Sequence, residues 1–113
     1  MNILNGTSGR DWITAYGAQD QIYPGAGADY IDGGSNAADA VFYLSSPAAV
    51  SVSLLTNTGT GGDAEGDVFL NVERVFGSAY NDVLEGNDGI TYLYGDAGND
   101  TLTDFAGDDS LDD

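Results

Sequence analysis

The chain has no cysteine, no histidine and no lysine, and its only basic residues, Arg10 and Arg74, face 19 acidic ones. Each absence removes a class of chemistry. Without cysteine there is no disulfide framework and no thiolate metal site. Without histidine and lysine there is no histidine-activated nucleophile and no Schiff-base amine, and zinc and copper lack the ligands they favour. A net charge of −17 disfavours nucleic acid and anionic membranes as partners and points to cations. No apolar run approaches the roughly 18 residues of a membrane span. The start, "MNILNG", has neither the basic region nor the apolar run of a cleaved secretory signal.

What the chain does have is glycine, 17 residues, and aspartate, a turn former, as most of its acid. High acidity alone suggests disorder. Against that, 42% of residues are hydrophobic, and many are β-branched or aromatic.

These residues recur at a fixed interval. Leu84, Leu93, Leu102 and Leu111 are nine apart, as are Ile13, Ile22 and Ile31. Two residues before most of them stands an aspartate: Asp11, Asp20, Asp29, Asp82, Asp100 and Asp109, with Thr91 the exception before Leu93. Glycine-rich turns precede these acids, as in "GTSGRD", "PGAGAD" and "GDAGND". One apolar residue in nine cannot make an amphipathic helix. It fits a six-residue turn followed by a three-residue strand whose middle side chain points inward. Two such units form a flattened coil of 18 residues, and stacked coils pair their strands in parallel about 4.8 Å apart.

The segment "GDAGNDTLT", 95–103, resembles the calcium-binding nonapeptide G-G-x-G-x-D-x-U-x of the RTX (repeats-in-toxin, hemolysin-type) family, departing only at Asp96. The resemblance is clear over 6–39 and 77–112. It implies an all-β fold, a right-handed parallel β-roll (a β-helix or solenoid) with calcium ions in the turns. The middle of the chain, 40–76, is expected to continue the same single domain, 1–113, with enlarged coils: strand 40–43, turn 44–49, strand 50–55, turn 56–67, strand 68–70, turn 71–82. This makes about five stacked coils, roughly 6–23, 24–43, 44–70, 71–94 and 95–112.

In such a stack Asp11 and Asp29 lie at one end of adjacent coils, as do Asp82 and Asp100, within a Debye length of about 8 Å. The ladder repels itself unless a cation lies between its rungs. Calcium accepts six to eight oxygens in adaptable geometry, whereas magnesium demands a tighter octahedron. By the family resemblance, several calcium ions are each held by turn carbonyls and two Asp residues. One set is Thr7, Gly9 and Asp11 with Pro24, Ala26 and Asp29. A second is Ser78, Tyr80 and Asp82 with Gly95, Ala97 and Asp100. At the opposite edge Tyr16, Ala18 and Asp20 face Gly33, Ser35 and Asp39, across a turn one residue longer than the motif. A fourth set is Asn87, Gly89 and Thr91 with Asp104, Ala106 and Asp109, where Thr91 replaces a carboxylate. Asp67 is expected at an irregular site beside an edge turn.

An isolated "AGND" reads as an ordinary solvated turn, and salt adaptation explains acidity; neither explains an in-phase series. Catalysis is not expected, since "GSAYND" is no nucleophile elbow and a site for acidic sugars needs more cations than Arg10 and Arg74. Residues flanking the inward ones face out. Tyr23, Phe42, Leu70, Tyr92 and Tyr94 are expected to form one outer column, a surface for a neighbouring domain or a second copy. Trp12 and Tyr30 make a smaller pair opposite.

The resemblance implies a secreted, extracellular bacterial module, exported by type I secretion, that folds on meeting calcium. "AGDDSLDD" reads as an incomplete export signal, as in a piece of a longer protein. The alternative is an accessory or adhesive module that binds saccharide or protein.

Overall fold

With one inward side chain per nine residues, a strand has room for three residues. The computed structural model, which describes residues 3–15, 19–34, 39–87, 92–103 and 110–112, contains thirteen such strands among them. In chain order they are β1 (Ile3–Asn5), β2 (Trp12–Thr14), β3 (Gln21–Tyr23), β4 (Tyr30–Asp32), β5 (Ala40–Phe42), β6 (Ser51–Ser53), β7 (Thr58–Thr60), β8 (Val68–Leu70), β9 (Arg74–Phe76), β10 (Val83–Glu85), β11 (Tyr92–Tyr94), β12 (Thr101–Thr103) and β13 (Ser110–Asp112). A single 3₁₀ turn, Gly62–Ala64, is the only helical element among the described residues. The protein is all-β.

The strands form two sheets. One runs β1-β3-β5-β9-β11-β13 and is parallel throughout; the other runs β12-β10-β6-β7-β8-β4-β2. Register places the inward residues directly opposite one another: Leu4, Ile22, Val41, Val75 and Leu93 in the first sheet, Ile13, Ile31 and Phe69, then Val52, Leu84 and Leu102, in the second. These two ladders meet as the core, in which Ile22, Ile31, Val41, Phe69, Val75, Leu84 and Leu93 have no exposed surface.

The regular stacking gives way between β5 and β9. From β5 the chain crosses to the second sheet as β6, which pairs with β10 and not with β4. It then doubles back antiparallel as β7 and returns as β8, landing beside β4. The stretch expected as turn 56–67 therefore contains β7 and the 3₁₀ turn. Thr-Gly-Thr is a weak strand signal because glycine lacks a side chain to pack. Here Gly59 is required: a Cβ would lie 2.8 Å from the Ala64 carbonyl oxygen and 3.2 Å from the Phe69 ring. Likewise the expected turn 71–82 contains β9, whose inward Val75 stands nine residues before Leu84.

The outer aromatic column also differs from the expected one. The rings that stack are Tyr23, Phe42, Phe76 and Tyr94, with centroids 4.7, 4.3 and 4.3 Å apart and planes within 18°. Phe76 joins the column because it lies on β9, within the stretch expected as a turn. Leu70 belongs to the other sheet, opposite Asp32, and Tyr92 lies across from Arg74 at the far end of its strand. Trp12 and Tyr30 do pair, stacked at 4.4 Å.

Candidate metal centre

Before β2, β3, β4 and β10 the aspartate amide donates along the stack to the carboxylate one tier on, whereas the Asp67 amide before β8 stays in its own turn and donates to the Ala64 carbonyl. Asp11 N–H donates to Asp29 Oδ1 at 2.8 Å, Asp20 N–H to Asp39 Oδ1 at 2.9 Å, Asp29 N–H to Asp67 Oδ1 at 2.7 Å and Asp82 N–H to Asp100 Oδ1 at 2.8 Å. The backbone carbonyls of Asp11, Asp20, Asp29 and Asp82 accept the next tier's first strand amide, from Tyr30, Ala40, Val68 and Thr101. Each acid is thereby locked to its neighbour by two bonds, and the carboxylates form a ladder.

Two of the expected sites repeat the same geometry at separate places in the chain. In the first, Thr7 N–H donates to Asp11 Oδ2 at 2.6 Å and the Thr7 hydroxyl to Asp11 Oδ1 at 2.9 Å. In the second, Ser78 N–H donates to Asp82 Oδ2 at 2.8 Å and its hydroxyl to Asp82 Oδ1 at 2.6 Å. The turns nest by backbone. A Cβ on Gly6 would overlap the Pro24 carbonyl oxygen and lie 2.7 Å from Asp11 Oδ2, and one on Gly25 would lie 2.7 Å from the Thr7 carbonyl oxygen. Gly27 likewise backs onto the Gly9 carbonyl, and Gly98 onto the Tyr80 carbonyl; the Gly95 carbonyl faces Gly77. So the carbonyls of Thr7, Gly9, Pro24, Tyr80 and Gly95 converge on turn–turn seams beside their acids. Ala26 and Ala97 are exposed at the turn tips.

At the opposite edge Asp20 and Asp39 are joined as above, and a Cβ on Gly33 would lie 2.9 Å from Asp39 Oδ2. Tyr16, Ala18 and Ser35 lie outside the described residues, as do Gly89, Asp104, Ala106 and Asp109; Asn87 is described, half-buried just after β10.

Burial governs the electrostatics. It pushes Asp29 up to about 6, with the Asp11 charge adding to the shift, and it raises Asp39. It pushes Asp67 up to about 7, against hydrogen bonds from Tyr43 and the Asp29 amide. Asp11 goes the other way, held below the usual range by the Thr7 amide and hydroxyl. The Oδ2 atoms of Asp29 and Asp39 are buried and accept no hydrogen bond. A buried carboxylate oxygen left so is costly, and a hard cation satisfies it. The donors offered are carboxylate and carbonyl oxygens, the set calcium takes. Among the described residues no three acidic side chains gather as a metal cluster, so a cation here relies on paired acids and turn carbonyls.

Three ladder members escape the sequence pattern. Glu73 takes the acid position before Val75, and its carboxylate accepts the Asp39 amide at 3.1 Å; the interval of nine from Val75 to Leu84 is its signal. Val50 occupies an acid position, and its amide donates to Asp82 Oδ1 at 2.9 Å. Tyr43 has no signal at all: its hydroxyl donates to Asp67 Oδ2 at 2.5 Å from inside the core.

Residues 1–31, 71–89 and 85–112, more than half of the chain, match the family model of the RTX calcium-binding nonapeptide repeat in four copies. No curated protein matches the chain.

Proposed function

The chain belongs to the RTX calcium-binding nonapeptide repeat family, and from that premise we propose that it is a calcium-dependent folding module of a secreted bacterial protein, wound as a right-handed β-roll with ions in its turns. The observation that carries this is the pair of nested turns at Asp11/Asp29 and Asp82/Asp100, two copies of one oxygen-lined geometry separated by 71 residues of sequence. Thr7, Gly9, Pro24 and Ala26 with Asp11 and Asp29 would hold one ion; Ser78, Tyr80, Gly95 and Ala97 with Asp82 and Asp100 a second; Asp20, Gly33 and Asp39 contribute at the other edge. Bound calcium supplies the positive charge that lets acids of adjacent tiers remain ionised together. The chain's own part is to preform the seam: glycines admit close turn-to-turn contact, and Thr7 and Ser78 aim the carboxylates. In a cytosol poor in calcium the acids repel; outside the cell the turns close. At 100 times its dissociation constant each independent site adds about 2.7 kcal/mol, a large share of a small domain's stability. Export by type I secretion fits such a module, which gains its structure after transit. Its role is structural and not catalytic.

The test is circular dichroism during a calcium titration followed by chelation. A sheet signal that rises with calcium and falls with chelator is expected, with magnesium at equal concentration failing to induce it. Asp100→Ala should raise the calcium midpoint and lower thermal stability in excess calcium. If that variant melts with the parent protein at saturation, Asp100 is no ligand.

A second reading, an accessory module that binds saccharide or protein, rests on an open groove of about 480 Å³ lined by Arg10, Trp12, Tyr30 and Val68 together with Asp11 and Asp29 of the first seam. Trp12 there is 75% exposed. Trp12→Ala would abolish such binding while calcium filling of the distant Asp82/Asp100 site stays unchanged, which separates the two readings.

A further inference from the structure

The acidic ladder along the second sheet is not continuous. It runs from Asp11 through Asp29 to Asp67, each linked by an amide-to-carboxylate bond of 2.7–2.8 Å. Beyond Asp67 the next strand, β7, is antiparallel. At β6 the acid position holds Val50, and a carboxylate returns only with Asp82. Within this gap the chemistry also changes. Asp29 Oδ2 is buried with no hydrogen-bond donor, whereas Asp67 Oδ2 receives the Tyr43 hydroxyl. Tyr43 leaves the end of β5 in the first sheet, where its amide donates to the Phe76 carbonyl at 2.9 Å. Its ring crosses the interior, 2% exposed and edge-on to Phe69 at 6.4 Å, to reach an acid on the second sheet. It is a strut between the sheets that ends in a proton donor.

The packing around it differs as well. A regular tier buries one apolar side chain per strand. Here Tyr43, Val50, Leu54, Ala64 and Val72 are buried in addition to the strand centres, within the one core cluster that also takes in Ile22, Ile31, Leu84 and Leu93.

We propose that the chain contains a calcium-independent central block, in which the Tyr43 hydroxyl closes the ladder at Asp67 in the place a cation takes at the outer tiers, so that calcium governs only the tiers on either side. The proposal rests on the calcium reading of the outer turns. A hydrogen bond donated by the hydroxyl satisfies one carboxylate oxygen as a cation does, and the extra buried apolar side chains supply burial that a regular tier lacks. The block then acts as a template whose two outer faces present strands β4 and β10 to the coils that follow.

The experiment is residue-resolved amide hydrogen exchange on the full chain, with saturating calcium and with chelator. Without calcium, the amides of Tyr43, Gly59, Asp67 and Phe69 should keep protection of about 100-fold or more, while those of Gly6, Asp11 and Thr101 lose at least about tenfold relative to the loaded state. Tyr43→Phe keeps the ring and removes the donor. It should lose at least about tenfold protection at the central amides in chelator, with the outer amides still responding to calcium. As a check that needs no variant, the Tyr43 hydroxyl proton of the parent chain should exchange slowly in both conditions. Collapse of central and outer amides together on chelation overturns the block and leaves the calcium reading standing. Central protection in Tyr43→Phe equal to that of the parent, or rapid hydroxyl exchange in chelator, overturns the role of Tyr43. Protection of every amide in chelator overturns the calcium reading, and with it the boundary between block and outer tiers.

Discussion

A glycine in these turns can be required by a left-handed backbone, by close approach of the next turn, by both or by neither. Gly27 and Gly98 sit at φ of +93° and +94°, and a Cβ on either would overlap the carbonyl oxygen of the turn it backs onto. Both the left-handed backbone and the close approach demand glycine. Gly9 lies at the corresponding turn with its nearest potential contact, the Thr7 hydroxyl, at 3.8 Å. In saturating calcium, Gly27→Ala and Gly98→Ala should each lose about 1–3 kcal/mol in denaturant unfolding, whereas Gly9→Ala should stay within about 0.5 kcal/mol. Equal losses at all three would mean that nesting of the turns is not what glycine secures. The same scale explains why Thr7 and Ser78 stand where they do: each combines an amide and a hydroxyl on one acid, which a residue without a hydroxyl cannot do.

A three-residue strand has little stability of its own, so at the scale of elements the stack must be held through side chains on both faces. Inside, the aliphatic ladders do this. Outside the first sheet, the rings of Tyr23, Phe42, Phe76 and Tyr94 continue the strand spacing as a half-buried column. Phe76 touches a ring on each side, at 4.3 Å both ways, and joins the coils before the inserted strands to those after them. Stacked pairs contribute about 0.5–1.5 kcal/mol beyond burial. Phe76→Leu, which keeps most of the apolar surface, should therefore cost about 1–3 kcal/mol. Tyr23→Leu, at the end of the column with one neighbour at 4.7 Å, should cost about half as much. Identical urea midpoints for the two variants would show that the rings act as surface only and not as a stack.

Across the whole molecule the charge is −17, and Asp11, Asp20, Asp29, Asp39, Asp82 and Asp100 stand where adjacent turns must approach one another. Protons and calcium are alternative ways of relieving that. Asp29 and Asp67 are shifted up to about 6 and about 7 from 3.8, and Asp39 is raised too, all by burial. For a carboxyl raised in the folded state, folding takes up protons. Its stabilisation is complete below 3.8 and is lost as pH rises through about 6 for Asp29 and about 7 for Asp67. Asp11, lowered by Thr7, acts below this window. The calcium-free chain should thus resist urea better at pH 5 than at pH 7.5, with the difference reduced in saturating calcium. A calcium-free stability that is flat across that interval would remove burial of Asp29 and Asp39 as the source of the proposed calcium requirement.

The interval of nine makes the regular tiers legible in the sequence: Leu84, Leu93 and Leu102 point inward, and Asp29, Asp82 and Asp100 stand two residues ahead of an inward residue, on ladders. These features are legible because each is local. Turn, strand and acid lie within one short unit, and stacking only repeats it. Where the repeat lapses, local pattern no longer says which strand is neighbour to which. The reversed order β8-β7-β6 between β4 and β10, Phe76 in the aromatic column and the Tyr43–Asp67 bond across 24 residues are settled by what fills the space between two sheets.

The sequence by itself determined the unit, the inward residues and the position of the acids, because periodicity and turn chemistry act over a few residues. Only the tertiary structure decided how the central segment enters the stack and which acid a tyrosine closes, because those outcomes depend on volumes and hydrogen-bond partners contributed by strands far apart in the chain.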